Sequence, residues 1–187
     1  MTPLQFQTTA LWSEPMWRQA GPIYAEAFAD KGGKSEALIR GMFARGLCQL
    51  HTASVGSNTA AMALTGFAGE QKAVIIDYIA VSEAERSRGT GRQLVDYIKR
   101  WAKEAGCRGI VIEVEAEPTD ENIGRIRFWQ RCGFALTEAV HQYIWVPEPY
   151  RAMVFHLTET EEHRLPEDGE ALFRCITRFH RKAYRKS

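Results

Sequence analysis

From Val81 to Arg92 the chain reads Val-Ser-Glu-Ala-Glu-Arg-Ser-Arg-Gly-Thr-Gly-Arg, and its glycines and arginines are suited to holding an anion. Glycines where a strand turns into a helix let the backbone approach a phosphate closely, with several N–H groups pointing outward. The helix start adds roughly half a positive charge at the place where a pyrophosphate would sit. Arg86, Arg88 and Arg92 supply further positive charge. The chemistry this predicts is pyrophosphate recognition; the plainer alternative is a tight turn with solvated arginines. Two familiar phosphate-binding patterns do not fit. The G-x-x-x-x-G-K-[ST] loop is absent, and the dinucleotide fingerprint G-x-G-x-x-G follows a first strand, whereas this turn follows several.

Three carboxylates are placed for proton transfer. Asp77 shares a strand face with Ile75 and Ile79, while Glu113 and Glu115 lie opposite Ile110, Ile112 and Val114. An acid within an apolar strand costs free energy unless it is paired or wet, and such sites often raise a carboxyl pKa. A salt bridge to a nearby arginine is the competing role. The acidic run Glu117, Asp120 and Glu121 reads as a solvated loop or as a lure for a cationic amine. The five histidines have no H-E-x-x-H spacing and the four cysteines no C-x-x-C spacing, so no metal site is expected.

The elements that must position these groups follow from periodicity. Ser13 caps a helix carrying Trp17, Ala20, Tyr24, Ala27 and Phe28, which Gly21-Pro22 should kink or split. Ser35 caps a second helix with Leu38, Ile39, Met42 and Phe43, stopping at Gly46. Strands are expected at Cys48 to Val55, Ala60 to Phe67 and Ala73 to Val81, as an antiparallel meander. From Thr90 the period turns helical through Leu94, Val95, Ile98, Trp101 and Ala105, ending at Gly106. A strand at Ile110 to Glu115 follows, then a short helix capped by Asp120 and closed by Gly133. Strands at Tyr143 to Val146 and Ala152 to Leu157 come last, before an acidic linker and a basic amphipathic helix.

Arg86-Ser87-Arg88-Gly89-Thr90-Gly91, preceded by Ala80-Val81, resembles the cofactor motif of the GNAT superfamily of N-acetyltransferases. A second family motif is matched by Asn122, Phe128-Trp129 and Gly133-Phe134. The resemblance is specific from Ala73 to Phe134 and looser, by element order, from Leu11 to Leu157. It implies an α/β fold with a mixed, mostly antiparallel central sheet of about six to seven strands, flanked by helices. That gives a domain over 1–157 and a C-terminal helical extension over 158–187. It also implies acetyl-coenzyme A as cosubstrate, with the pantetheine arm on Ile79, Ala80 and Val81. The pyrophosphate falls to Arg86, Ser87, Arg88, Gly89, Thr90, Gly91 and Arg92, with Asn122 and Trp129 as further cofactor contacts. A backbone N–H near Ile79 or Val81 would stabilise the oxyanion. The amine attacks directly, so a base is needed but no protein nucleophile; Asp77 and Glu113 are the candidates. Many relatives carry a tyrosine at Trp129, whose hydroxyl protonates the leaving thiolate. An indole N–H cannot do this, so Tyr143, Tyr78 or solvent must.

Composition agrees with one ordinary soluble globular domain. The 187 residues are 45% hydrophobic and 25% charged, with a net charge of +1 that argues for no polyanionic partner. No apolar run approaches the roughly 20 residues needed to span a bilayer, and Met1 to Trp12 lacks a leader pattern. With scattered, reduced cysteines this predicts a cytoplasmic protein. The expected activity is acetyl transfer to a primary amine of a small molecule or peptide. The alternatives are a non-catalytic acyl-coenzyme A binding module and a nucleic-acid partner working through the basic tail, a run too short to carry that role alone. A homodimer is compatible with the sequence, as is a monomer.

Overall fold

Short polar side chains decide where the helices begin. In the computed structural model, which describes residues 3–69 and 72–185, Ser13 Oγ accepts from the Met16 amide and Ser35 Oγ from the Leu38 amide. These caps start α1 (Glu14–Phe28) and α2 (Glu36–Ala44). α1 runs through Pro22 as one helix instead of splitting. Burial of Trp17, Ala20, Ile23 and Tyr24 along one side outweighs the single hydrogen bond that Pro22 cannot donate. α3 spans Thr90–Glu104, followed by Gly106 at φ 74°. α4 (Asp120–Arg131) is capped one residue earlier than expected, by Thr119, whose Oγ1 accepts from the Asn122 amide at 3.2 Å. α5 (Gly169–Tyr184) begins on Asp168, whose carboxylate accepts from the Glu170 and Ala171 amides.

Seven strands form one sheet: β1 (Leu4–Thr9), β2 (Gln49–Val55), β3 (Asn58–Ala68), β4 (Ala73–Val81), β5 (Gly109–Glu115), β6 (Ala135–Gln142) and β7 (Pro149–His156), in the order β1-β2-β3-β4-β5-β7-β6. β1–β2, β2–β3, β5–β7 and β6–β7 are antiparallel. β4 and β5 are parallel over Ala73↔Gly109 to Ile75↔Val111, the arrangement that a helical crossover such as α3 requires. The fold is thus the expected mixed, mostly antiparallel sheet flanked by helices, with a C-terminal helix.

Two strand assignments need correction. Residues 143–146 are not a strand: Ile144 is 97% exposed and Trp145 69%. The strand is β6, eight residues earlier in its start, whose polar sequence and register shift between Leu136 and Val140 hid it. β1 was not anticipated either. Both are outermost strands, paired along one side only, and carry weak alternation.

The chain divides into two compact units, each with its own core. The first comprises the described residues up to Gly66, Ile76–Ile98 and those from Lys182. Ile39, Met42, Leu50, Met62, Leu64, Leu94 and Ile98 are its large buried side chains. In it, Arg45 donates to the carbonyls of Lys182, Ala183 and Arg185, satisfying the end of α5. The second comprises Phe67–Ile75 and Lys99–Arg181, with Ile110, Ile112, Met153, Leu172 and Ile176 at its centre.

Candidate functional site

In the first unit, β4 leads through a short 3-10 turn (Glu83–Glu85) into the glycine-rich turn and α3. Ser87 has φ 63° and Gly89 φ 80°, so the backbone reverses twice before the helix. A side chain at Gly89 would meet nothing within 4 Å, which leaves that face of the turn open. The Gln93 amide bonds the Gly89 carbonyl at 3.1 Å as the first turn of α3. The preceding helical amides, those of Thr90, Gly91 and Arg92, have no intrahelical acceptor at such a start. Arg86, Ser87, Arg88, Gly89 and Arg92 are exposed, while Thr90 is buried beneath them. Arg86 is already engaged, donating to Glu26 Oε1 at 2.5 Å and to the Val81 carbonyl at 3.3 Å. Arg88 lies 3.8 Å from Glu85. Ile79 and Val81 are half-buried and Ala80 is buried on the strand that feeds the turn.

Asp77 also lies on β4. Its partner is a lysine: Lys34 Nζ donates to both carboxylate oxygens at 2.9 Å, and both side chains are buried. The Lys34 amide donates to the Tyr78 hydroxyl at 3.2 Å, and the Tyr24 hydroxyl donates to the Lys34 carbonyl at 2.9 Å. Burial, with the Asp77 charge next, pushes the Tyr78 phenol well above its ordinary range. Tyr24 is pushed the same way, again mainly by burial. Neither phenol is a ready proton donor. Beside this cluster a cavity of about 590 Å³ opens between α1 and the start of α2, walled by Trp17, Tyr24, Lys34 and Pro22 and rimmed by Glu14 and Glu36. Nothing in the spacing of Lys34 announced it as the partner of Asp77.

The second unit holds the other carboxylate. Glu113 stands on β5, and the Tyr143 hydroxyl donates to its Oε2 at 2.6 Å. His180 Nε2, from α5, lies 3.2 Å from Oε1. Against an ionised carboxylate, which only accepts, Nε2 would be the donor of that contact. Tyr143 is buried among the rings of His141, Trp145 and Tyr150. Burial and then the charges of Glu115 and Glu113 push the neighbouring Tyr150 phenol up to about 12. Glu115 itself faces Arg125 at 3.7 Å. Asn122 is buried and occupied locally, its Nδ2 donating to the Glu117 carbonyl and its Oδ1 accepting from Arg125. Trp129 is buried edge-on to Phe128 and Phe134. His180 escaped sequence reasoning because it lies on a helix whose apolar period gives no sign of what it docks against.

The profile of the acetyltransferase (GNAT) family matches residues 17–134, more than half of the chain, and takes in the β4–turn–α3 segment. The chain belongs to the GNAT family. Solved structures agree on the fold of this GNAT protein. It is 20% identical to a Bacillus subtilis acetyltransferase in complex with coenzyme A, covering 83% of this chain and 100% of that one at a TM-score of 0.59. An aminoglycoside 6'-N-acetyltransferase complexed with coenzyme A is 11% identical, with 83% and 98% covered and a TM-score of 0.67. An IAA acetyltransferase from Bacillus cereus is 14% identical, with 82% and 99% covered and a TM-score of 0.60. Structural neighbours of this GNAT chain therefore bind coenzyme A or acetyl-coenzyme A. Among the described residues no group of three or more His, Cys, Asp or Glu could hold a metal ion. No helix among them is long and apolar enough to cross a membrane.

Proposed function

We propose that this protein is an N-acetyltransferase that moves an acetyl group from acetyl-coenzyme A to a primary amine of a small molecule or peptide. The observation that carries the reading is the turn after β4. Its positive φ at Ser87 and Gly89, open face and exposed arginines at the start of α3 fit a pyrophosphate. Arg86, Ser87, Arg88, Gly89, Thr90, Gly91 and Arg92 would hold it, and the backbone of Ile79, Ala80 and Val81 the pantetheine. An N–H of Ile79 or Val81 would receive the oxyanion. Asn122 and Trp129 complete the set assigned to the cofactor. When bound, acetyl-coenzyme A supplies an activated acyl group and a thiolate leaving group.

The protein's share is proton management. Glu113 takes a proton from the incoming ammonium, leaving the amine lone pair to attack the acyl carbon. Tyr143 would give its hydroxyl proton to the departing sulfur as the C–S bond breaks and recover one from Glu113, its hydrogen-bond partner at 2.6 Å. That frees Glu113 to take the second proton that the nitrogen sheds as the amide forms and to release it to solvent. Asp77, the other candidate carboxylate, is held by Lys34 in the first unit, beside a cavity that would admit a small ligand. Buried thiols at Cys48, Cys132 and Cys175 support a reducing, cytoplasmic setting.

A second reading, a non-catalytic acyl-coenzyme A binding module, is favoured by the buried Trp129 in place of a hydroxyl-bearing side chain. Calorimetric titration with acetyl-coenzyme A, wild type against the Gly89→Glu/Gly91→Glu double variant, tests the site. We expect micromolar binding that the variant loses while still folding cooperatively, with a lower melting temperature because Gly89 sits at φ 80°. A folded wild type that does not bind would sink both readings. Binding without thiol release across an amine panel would favour the module.

A further inference from the structure

On the reading of this chain as an acyl-transfer enzyme with Glu113 as its base, we propose that His180, on the C-terminal helix, is a positioning residue for that carboxylate. The side chain of Glu113 is 26% exposed and that of His180 16%, so their contact is largely withdrawn from water. The two oxygens of Glu113 are separately engaged, Oε2 by the Tyr143 hydroxyl at 2.6 Å and Oε1 by His180 Nε2 at 3.2 Å. A carboxylate held at one oxygen can rotate about its terminal bond, a soft torsion; held at both, its plane is set. His180 therefore keeps Oε2 on Tyr143, the pair through which the proton must pass.

The helix is anchored for this task. Asp168 caps its start through the Glu170 and Ala171 amides. Gly169 lies so close to β6 that a Cβ would fall 2.7 Å from Thr137 Oγ1 and 2.9 Å from Ala139 Cβ. One turn on, Phe173 stacks on His141 with centroids 4.3 Å apart and planes 15° apart. Two turns beyond Phe173, on the same helix face, comes His180, edge-on to the Tyr143 ring at 6.5 Å. His180 lies outside the residues matched by the family profile, which end at 134.

The test compares His180→Leu, His180→Gln, Glu113→Gln and the Glu113→Gln/His180→Leu double variant in the full chain. Thiol release from acetyl-coenzyme A is followed with spermidine, tyramine and a dipeptide with a free N-terminus as acceptors. Leucine should lower kcat about tenfold while KM for acetyl-coenzyme A and the melting temperature stay put. Glutamine, whose amide can donate from nearly the same place, should restore kcat to within about threefold of wild type. On the Glu113→Gln background the leucine change should cost nothing more, because His180 acts only through that carboxylate. An undiminished kcat in His180→Leu, or a leucine effect that persists without Glu113, overturns the assignment while leaving the acyl-transfer reading intact. A wild type that binds acetyl-coenzyme A yet releases no thiol with any acceptor overturns that reading, and this role with it.

Discussion

Asp77 shows how one residue can satisfy two descriptions. An acid on an apolar strand reads as a base, yet its two oxygens are bonded to a lysine that is as buried as it is. Such a pair returns little net stability against its desolvation, but removing one partner strands the other charge. Asp77→Asn should therefore cost about 3–5 kcal/mol in urea denaturation, because the Lys34 ammonium is left against a neutral amide. The same variant should leave acetyl-coenzyme A bound, though less tightly, once the protein is stabilised in glycerol. Full stability with lost turnover would instead return Asp77 to the chemistry. The identity of the partner was beyond reach of the sequence: Lys34 is 43 positions away, in a loop whose path depends on two helices.

At the scale of elements, His51 is the hub of the first unit. From β2, its Nδ1 meets Thr8 Oγ1 on β1 at 2.7 Å and its Nε2 meets Thr65 Oγ1 on β3 at 2.8 Å. Thr8 in turn reaches the Tyr97 hydroxyl on α3 at 2.9 Å. Burial alone drives its pKa down from 6.5 to about 3. At pH 7 the folded imidazole is neutral and the unfolded one mostly so, and the group contributes little pH dependence there. Between pH 6.5 and 3 the unfolded chain binds the extra proton, and stability falls as the pH is lowered through that window. Going from pH 7 to 4.5 should cost about 2–3 kcal/mol from this group. Urea midpoints at the two pH values should differ more for wild type than for His51→Gln, which keeps hydrogen-bonding capacity but does not titrate. Equal slopes would mean that His51 does not control the acid response.

At the scale of the whole chain, the C-terminal helix is part of the core. Leu172, Phe173, Ile176 and Phe179 are all buried in the second unit. Each withdraws about 1.5–3 kcal/mol of apolar surface from water, and domains hold only about 5–15 kcal/mol in total. Truncation after Leu157 should therefore abolish the cooperative thermal transition in circular dichroism, instead of merely releasing a basic tail. A truncated chain that melts as sharply as the full one would mean that the helix is an appendage.

What the sequence determined by itself was local. Ser13 and Ser35 cap the helices they precede, Ala73–Val81 and Thr90 begin elements where the period changes, and Gly89 occupies a positive-φ turn that its type announces. These features are short in range, set by backbone sterics and by side chains bonding their own amides, so a window of a few residues contains them. The edge strands β1 and β6 and the irregular segment 143–146, with Ile144 and Trp145 exposed, went the other way. Strand propensity reflects a half-buried surface, and only the neighbours decide which apolar run obtains one. The same holds for the partners of Asp77 and Glu113. Lys34 and His180 reach them across 43 and 67 positions, and a contact at that separation exists only once the chain has folded.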